Sequence, residues 1–536
     1  MAQNRFMDHT QGVLVEIPEQ PERARPVQGT PKPEARAPKL KPIDRSQGLL
    51  RPVIVEELVG PDHKVRAIWD LTGQLDLSGF FKNIRTCQGE AGSPAWDPRL
   101  LLSVWLYGYS EQVSSAREIA RLMEYEPGLM WLSGLGEVNY HTLADFRAEH
   151  ATELKQLLAE LLGLLSKEGL VKLECVAHDG TKIRAQAGSD SFRREGTLEK
   201  EIAKARQMVE ELEGQAKNGQ AEDARREAAR GRAVRERSER MQQAAQELKK
   251  IRAGKDSEKE REQARVSLSE PEARVMKHGD NSMAPSYNVQ ISTDAEETII
   301  VGLHVTQCSS DGGSLQPAME QVQKTMGRYP DRVVADGGFT NQPSILKMNE
   351  SGIEFYGSLA EPEAKQAASM KAAGIDPAFA PSAFPRDPAS NGVQCPAGKI
   401  LAYVRQSKKG DVTYWQYQAE AGDCRGCEYQ KRCCPRPQQG RLVSIRMTEN
   451  AEVAAFREKM KTEEARQIYQ KRGAVAEFPN AWIKEKLGIR KFRLRGLAKA
   501  TTEALWAVLT YDVMQWLRLS WRPKLGKIEY FTAAGA

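Results

Sequence analysis

The sequence predicts an α/β chain: a mixed sheet flanked by helices, with a helical region before it, a charged helical hairpin inserted in it and a cysteine-containing insertion late in it. Three observations point there. Residues 96–167 carry apolar side chains at helical spacing. Near residue 173 the pattern switches to the two-residue alternation of strands. Strands and helices then take turns up to residue 359, and the chain becomes helical again from about Glu449 to Leu519. Strands leading into strand–helix–strand units are the mark of a mixed sheet covered by helices.

Composition sets the limits. The chain has 536 residues, 40% of them hydrophobic and 28% charged, so it can bury a sizeable core across about three domains. A net charge of +6 permits a polyanionic partner without demanding one. Eight cysteines in so long a chain do not read as a disulfide framework. No basic-then-apolar leader opens the sequence and no apolar run reaches membrane-span length, so a cytoplasmic setting away from membranes is expected.

Residues 1–60 read as a disordered leader. Pro18, Pro21, Pro26, Pro31, Pro33, Pro38 and Pro42 interrupt any helix there. Residues 61–168 read as an N-terminal helical domain of a kind that can bind DNA. Asp97-Pro98 starts a helix bearing Leu100, Leu101, Leu102, Val104, Trp105 and Leu106; Ser114-Ser115 caps a second; Pro127–Leu132 forms a short third. One long fourth follows Thr142 and carries Leu154, Leu157, Leu158, Leu161, Leu162 and Leu165. Small helices in this arrangement can form a helix-turn-helix unit.

The core sheet begins at residues 169–195. Leu173–His178 alternates as a strand, and Asp179-Gly180 ends it. Residues 196–275 form a helical hairpin with 19 basic and 17 acidic residues, in which Val234, Met241 and Leu248 fall seven apart. The core resumes over 276–359. Strands are expected at Tyr287–Thr293, Thr298–Gln307, Arg332–Ala335 and Ile353–Leu359, and helices at Ser314–Met326 and Gln342–Glu350. Residues 360–445 read as an irregular insertion, 446–520 as the helical end of the core and 521–536 as a tail.

Two aspartates stand at expected strand ends: Asp179 in His178-Asp179-Gly180-Thr181, and Asp336 in Ala335-Asp336-Gly337-Gly338-Phe339. Ligands gather beyond strand ends in such sheets. Two acids there repel, and Mg²⁺, which takes oxygen ligands and keeps water and phosphate oxygens in its shell, would hold them. Two such ions about 4 Å apart can activate a nucleophile and stabilise the leaving oxygen of a phosphodiester. In the helical end, Glu477 and Lys484 lie seven apart, two turns along one helical face. The following stretch, Lys484–Lys499, holds seven basic residues and one acid, a plausible phosphate track. His178 neighbours Asp179 but points to the opposite face of a strand, so it is expected to pack in the core.

These residues carry a resemblance. From about Trp96 to Leu519 the sequence resembles bacterial insertion-sequence transposases of the DDE type, in the subgroup with a Tyr-Arg-Glu-Lys signature. The motifs, in order, are Ser114–Ile119, His141–Arg147, Asp179–Lys182, Glu270–Lys277, Tyr287–Gln290, Val334–Phe339 and the run from Tyr469. The resemblance implies an RNase H-like core with Asp179, Asp336 and Glu477 as metal ligands for two Mg²⁺ ions, Mn²⁺ being able to stand in. It implies that Tyr469, Arg472 and Lys484 contact transposon-end DNA, with Lys486, Arg490, Lys491, Arg493 and Arg495 adding phosphate contacts. The partners would be double-stranded DNA, as terminal inverted repeats and target, bound by a homodimer on the bacterial nucleoid. In the signature three residues separate Arg from Glu; here Gly473–Ala476 make four, and Pro479 is expected to start or kink a helix. A hydrolytic nuclease on the same core and a catalytically inactive DNA-binding descendant are the alternatives.

The cysteines suggest a separate metal. Cys424-Arg-Gly-Cys427, with Cys433-Cys434 after it and Cys395 before it, could supply four thiolates to a closed structural Zn²⁺ site; free thiols in a loop are the alternative. Cys87, Cys175 and Cys308 stand alone and read as structural.

Overall fold

A computed structural model describes residues 52–82, 84, 94–217, 224–359, 362–387, 390–409, 412–446 and 450–522. Most of the expected leader, the tip of the charged hairpin, nearly all of the expected tail and Cys87 lie outside the described residues.

Among the described residues, the helices of seven residues or more before the sheet are α1 (Lys64–Thr72), α2 (Pro98–Ser110), α3 (Ala116–Leu122), α4 (Pro127–Ser133), α5 (Tyr140–Glu149) and α6 (Ala151–Lys167). Their starts follow capping chemistry. Asp97 accepts from Arg99 N–H with Pro98 in the first turn, and Ser115 accepts from Glu118 N–H. The expected long fourth helix is two, because the chain leaves helical geometry at His150 (φ −102°, ψ 42°). His150 packs there against Phe80 and Phe146.

The main sheet has six strands: β1 (Cys175–Arg184), β2 (Arg274–Lys277), β3 (Met283–Asp294), β4 (Ile300–Thr306), β5 (Arg332–Ala335) and β6 (Glu354–Gly357). Its order is β2-β3-β1-β5-β6, with β4 also pairing β3. β1, β3 and β4 are antiparallel neighbours, while β5 and β6 run parallel to β1. A meander continued by two parallel strands on the other side of its first strand is compatible with an RNase H-like core.

Between β1 and β2 the charged segment forms helices α7 (Glu195–Lys217) and α8 (Ala224–Ala253). They close over a small apolar cluster of Leu198, Ala244, Leu248, Ala264 and Val266. Helices α9 (Leu315–Met326) and α10 (Gln342–Glu350) flank the sheet as expected.

The segment expected to be irregular contains a second sheet. Strands β7 (Gly392–Gln394), β8 (Ile400–Lys409), β9 (Val412–Gln418) and β10 (Leu442–Arg446) pair in the order β10-β9-β8-β7. The alternation in Val412-Thr-Tyr-Trp-Gln-Tyr-Gln418 was hidden among Pro, Gly and Lys. Gly440 lets the chain return to this sheet: it has φ +72°, and a Cβ there would meet Ala419 O at 2.0 Å.

Four helices end the described chain: α11 (Ala451–Lys461), α12 (Glu463–Gln470), α13 (Arg472–Glu485) and α14 (Leu497–Leu519). α14 packs on β4, α2 and α6. Its Trp506 meets Trp105, Tyr109 and Phe146. One apolar cluster therefore runs from Val65 through the sheet to Trp516.

Candidate active site

Parallel pairing of β1 with β5 sets the two aspartates side by side. The register aligns Cys175 with Arg332 and His178 with Ala335. The next residue on each strand is Asp179 and Asp336, on backbones about 4.8 Å apart. β5 stops at Ala335, but β1 does not stop at Asp179-Gly180 as the sequence suggested. It continues because β3 pairs with it there, Asp179 with Ile291 and Gly180 with Gln290. Ladder pairing overrides the turn preference of Asp-Gly. Position 180 needs glycine: a Cβ would stand 2.5 Å from Gln290 Nε2 and 2.8 Å from Asp311 Oδ1.

Asp336 is fixed by its own loop, its Oδ1 accepting from Gly338 N–H at 2.7 Å. Asp179 is held from two sides. Gly180 N–H donates to Oδ1 at 2.9 Å, and Asn480 Nδ2 donates to Oδ2 at 3.0 Å. Burial pushes the Asp179 carboxyl up to about 6, and Asp336 adds to the rise. The Gly180 N–H, Arg472 and Asn480 pull the other way. Asn480 Oδ1 is buried beside this pair and has no hydrogen-bond partner among the described residues. Two neighbouring carboxyls, one reluctant to ionise, and an orphaned amide oxygen fit a divalent cation, which would relieve all three.

Helix α13 lies over this edge of β1. It runs through Pro479, which neither starts nor ends it; the missing N–H costs only the bond to Val475 O. The helix turns Ala476 and Asn480 inward. Glu477, one turn before Asn480, has a side chain 70% exposed and pairs with Arg472 at 3.9 Å. Among the described residues, no three His, Cys, Asp or Glu side chains stand together in metal-holding geometry. The structure thus brings Asp179 and Asp336 together and leaves the Glu477 carboxylate turned toward solvent on the adjoining helix.

Residues 394–517 match a family model described as a transposase DDE domain, and residues 53–149 match one described as a transposase domain (DUF772). These two matches indicate a DDE-type insertion-sequence transposase. No curated protein matches it. The DDE match contains Glu477, the cysteines from Cys395 on and the basic run, while Asp179 and Asp336 lie before it.

The basic run is laid along the end of β1. Arg184 N–H donates to Arg490 O at 3.2 Å, and Phe492 N–H donates to Arg184 O at 2.9 Å. Leu487, Ile489 and Phe492 are buried, whereas Lys486, Arg490, Lys491, Arg493 and Arg495 are exposed. Three carboxylates tie the run down, Glu503 and Glu270 buried and Glu272 half-buried. Glu503 Oε2 accepts from Arg493 N–H at 2.8 Å and Leu494 N–H at 2.9 Å. Glu270 accepts from Gly496 N–H at 3.0 Å, and Glu272 accepts from Leu497 N–H at 2.8 Å. Arg493 also donates to Ser114 Oγ at 2.7 Å, and Arg490 pairs with Glu485. Tyr469 lies 5.9 Å from the Arg472 guanidinium. Burial pushes the Lys484 ammonium down, and Asp179 partly opposes this.

Sequence reasoning missed Asn480, although it stands one helical turn before Lys484 and shares its face. It also missed Asp311, Glu270, Glu272 and Glu503 as positioning groups, since each acts through a contact distant in sequence. His178 packs as expected: it is fully buried, 3.0 Å from both Ser292 Oγ and Gln290 Oε1, with its ring edge-on to Phe339. Burial lowers it to about 4.

Cys395, Cys424, Cys427, Cys433 and Cys434 ring one cavity of about 30 Å³ beneath the second sheet. All five are free thiols and do not form a ready tetrahedral set. Burial and then Cys424 push the Cys434 thiol up to about 11. Cys175 is partly buried, whereas Cys308 is exposed and has no evident packing role.

Proposed function

We propose that the protein cuts DNA strands at transposon ends and joins them to target DNA, with Asp179, Asp336 and Glu477 as the ligands of Mg²⁺, for which Mn²⁺ can substitute. The observation that carries this reading is the β1–β5 register, which makes the two aspartates neighbours beneath the helix bearing Glu477. The bound ions would supply an activated oxygen nucleophile and charge stabilisation at phosphorus. The protein's own residues do the rest. Asp179 would hold an ion in its deprotonated form. Asn480 fixes its Oδ2 and offers a neutral oxygen beside it. Rotation about the Glu477 side chain, with release of Arg472, would complete the carboxylate set and free the guanidinium for phosphate. Tyr469, Lys484 and the exposed cations from Lys486 to Arg495 would hold the DNA. In a cleavage assay on transposon-end DNA with Mg²⁺, Asp179→Ala, Asp336→Ala and Glu477→Ala should each lose cutting and keep binding. Near-normal cutting by any one removes that residue from the site.

We further propose a structural Zn²⁺ in the five-cysteine cavity. Its support is that Cys395, Cys424, Cys427, Cys433 and Cys434 all line one small cavity. An ion would draw four sulfurs inward on displacing their protons. Zinc well below one per chain, in protein never exposed to chelator, would count against it.

A further inference from the structure

Beside Asp179 the sheet opens into a cleft of about 680 Å³ that the residues above leave unassigned, Lys484 excepted. One wall is Gly180, Thr181 and Lys182 of β1. A second is the β2–β3 hairpin, with Lys277, His278 and Met283, and α13 adds Lys484. Positive charge dominates this lining. Lys277 and Lys484 form no ion pair with another described residue. Burial pushes the Lys484 ammonium down; Asp179 opposes this, while Arg490 and Lys182 add to it. A half-buried ammonium with other cations around it gains from a further anion in the cleft. Val275 and Met283 are exposed on the rim, 39% and 60%, as apolar surface for a partner that is not purely ionic.

Lys182 is aimed rather than free. Its Nζ lies 3.3 Å from Asp311 Oδ2. The other oxygen, Asp311 Oδ1, accepts from Asn288 Nδ2 at 2.7 Å and Gln290 Nε2 at 3.0 Å. Two strand amides thus clamp the carboxylate, and the clamped carboxylate holds the lysine at the cleft wall. Side chains at 180 and 182 share one face of β1, opposite to that of Asp179.

We propose that this cleft seats the phosphodiester backbone of duplex DNA alongside the cutting site, with Lys182, Lys277 and Lys484 as phosphate contacts and Asp311 as the positioning residue for Lys182. The proposal rests on the DNA-cutting reading, but it is tested by binding alone.

The experiment uses the full chain carrying Asp179→Asn, without divalent metal, and a labelled duplex of arbitrary sequence. Affinity is measured over a range of KCl concentrations. Lys277→Gln should lower the slope of log K against log salt by about one unit, and Lys182→Gln with Lys277→Gln by about two. Lys277→Arg should restore the parent slope. Asp311→Asn should lower the slope in the parent and change nothing further when Lys182 is already Gln, the pattern of a residue that acts through its lysine. Lys371→Gln, an exposed lysine elsewhere, should leave the slope within a few tenths of a unit. A double variant with parent melting temperature and parent slope overturns the cleft. So does an equal loss from Lys371→Gln. Cleavage by the Asp179→Asn chain once Mg²⁺ is added would sink the catalytic reading and leave the slope result standing.

Discussion

The six-stranded sheet shares a continuous apolar cluster with the N-terminal helices and α14, including Trp105, Trp506, Tyr109 and Tyr287. The four-stranded sheet rests on nine buried residues, two of them Cys424 and Cys434. The first can carry strain where chemistry needs it: a partly buried Asp179, a fully buried His178 and an Asp512 whose carboxyl burial keeps well above its usual range. The second has little core to spare and gathers its thiols around one cavity. A large core can bear the cost of burying titratable groups that a small one cannot.

The largest expected effect separates the two sheets by function. Asp336→Ala should lower Mg²⁺-dependent cleavage by about a thousandfold or more, the worth of several kcal/mol of lost charge stabilisation, at unchanged far-UV circular dichroism. Cys424→Ser should leave far more activity than that. If the cysteine variant loses as much, the second sheet belongs to the site.

Next is order. Stripping metal with a strong chelator should open residues 392–446 to protease and leave the six-stranded sheet protected, because metal energy there is local folding energy. Equal loosening of both sheets, or of neither, would break the contrast.

A smaller effect lies in stability. The Asp179 carboxyl holds its proton to about pH 6 in the fold, against the ordinary aspartate value of 3.8. Between these values the unfolded chain binds fewer protons, so metal-free stability falls as pH rises through the window. Asp179→Asn should therefore stabilise the metal-free protein above pH 6 by about 1–2 kcal/mol, allowing for partial exposure, with little effect at pH 4. Mg²⁺ should bind more weakly below pH 6. A destabilised variant at pH 7 would mean that the carboxylate is not strained. The smallest change is the basic run: neutralising any one of Lys486, Arg490, Lys491, Arg493 or Arg495 should cost about one unit of salt slope.

Much of this was legible in local pattern. Asp97-Pro98 and Ser115 announced their helices, and the run Arg332–Ala335 announced the strand that delivers Asp336. Asp179 was singled out for a partly mistaken reason, since its Asp-Gly sits within a strand and only the β3 pairing reveals that. The second sheet was missed because its strands lie among turn formers and its core is small. Asn480, Asp311 and Glu503 were illegible because each finds its partner only in the folded chain. The exposed carboxylate of Glu477 is the one place where sequence order and side-chain direction pull apart.

That residue decides the account. Fe²⁺ can replace Mg²⁺ in an oxygen-ligand site and, with ascorbate and peroxide, cuts the polypeptide beside it. Mapping those cuts in the full chain bound to transposon-end DNA should give fragments ending near residues 179, 336 and 477 together, all suppressed by excess Mg²⁺. Cuts at 179 and 336 without one near 477 would contradict a three-carboxylate centre.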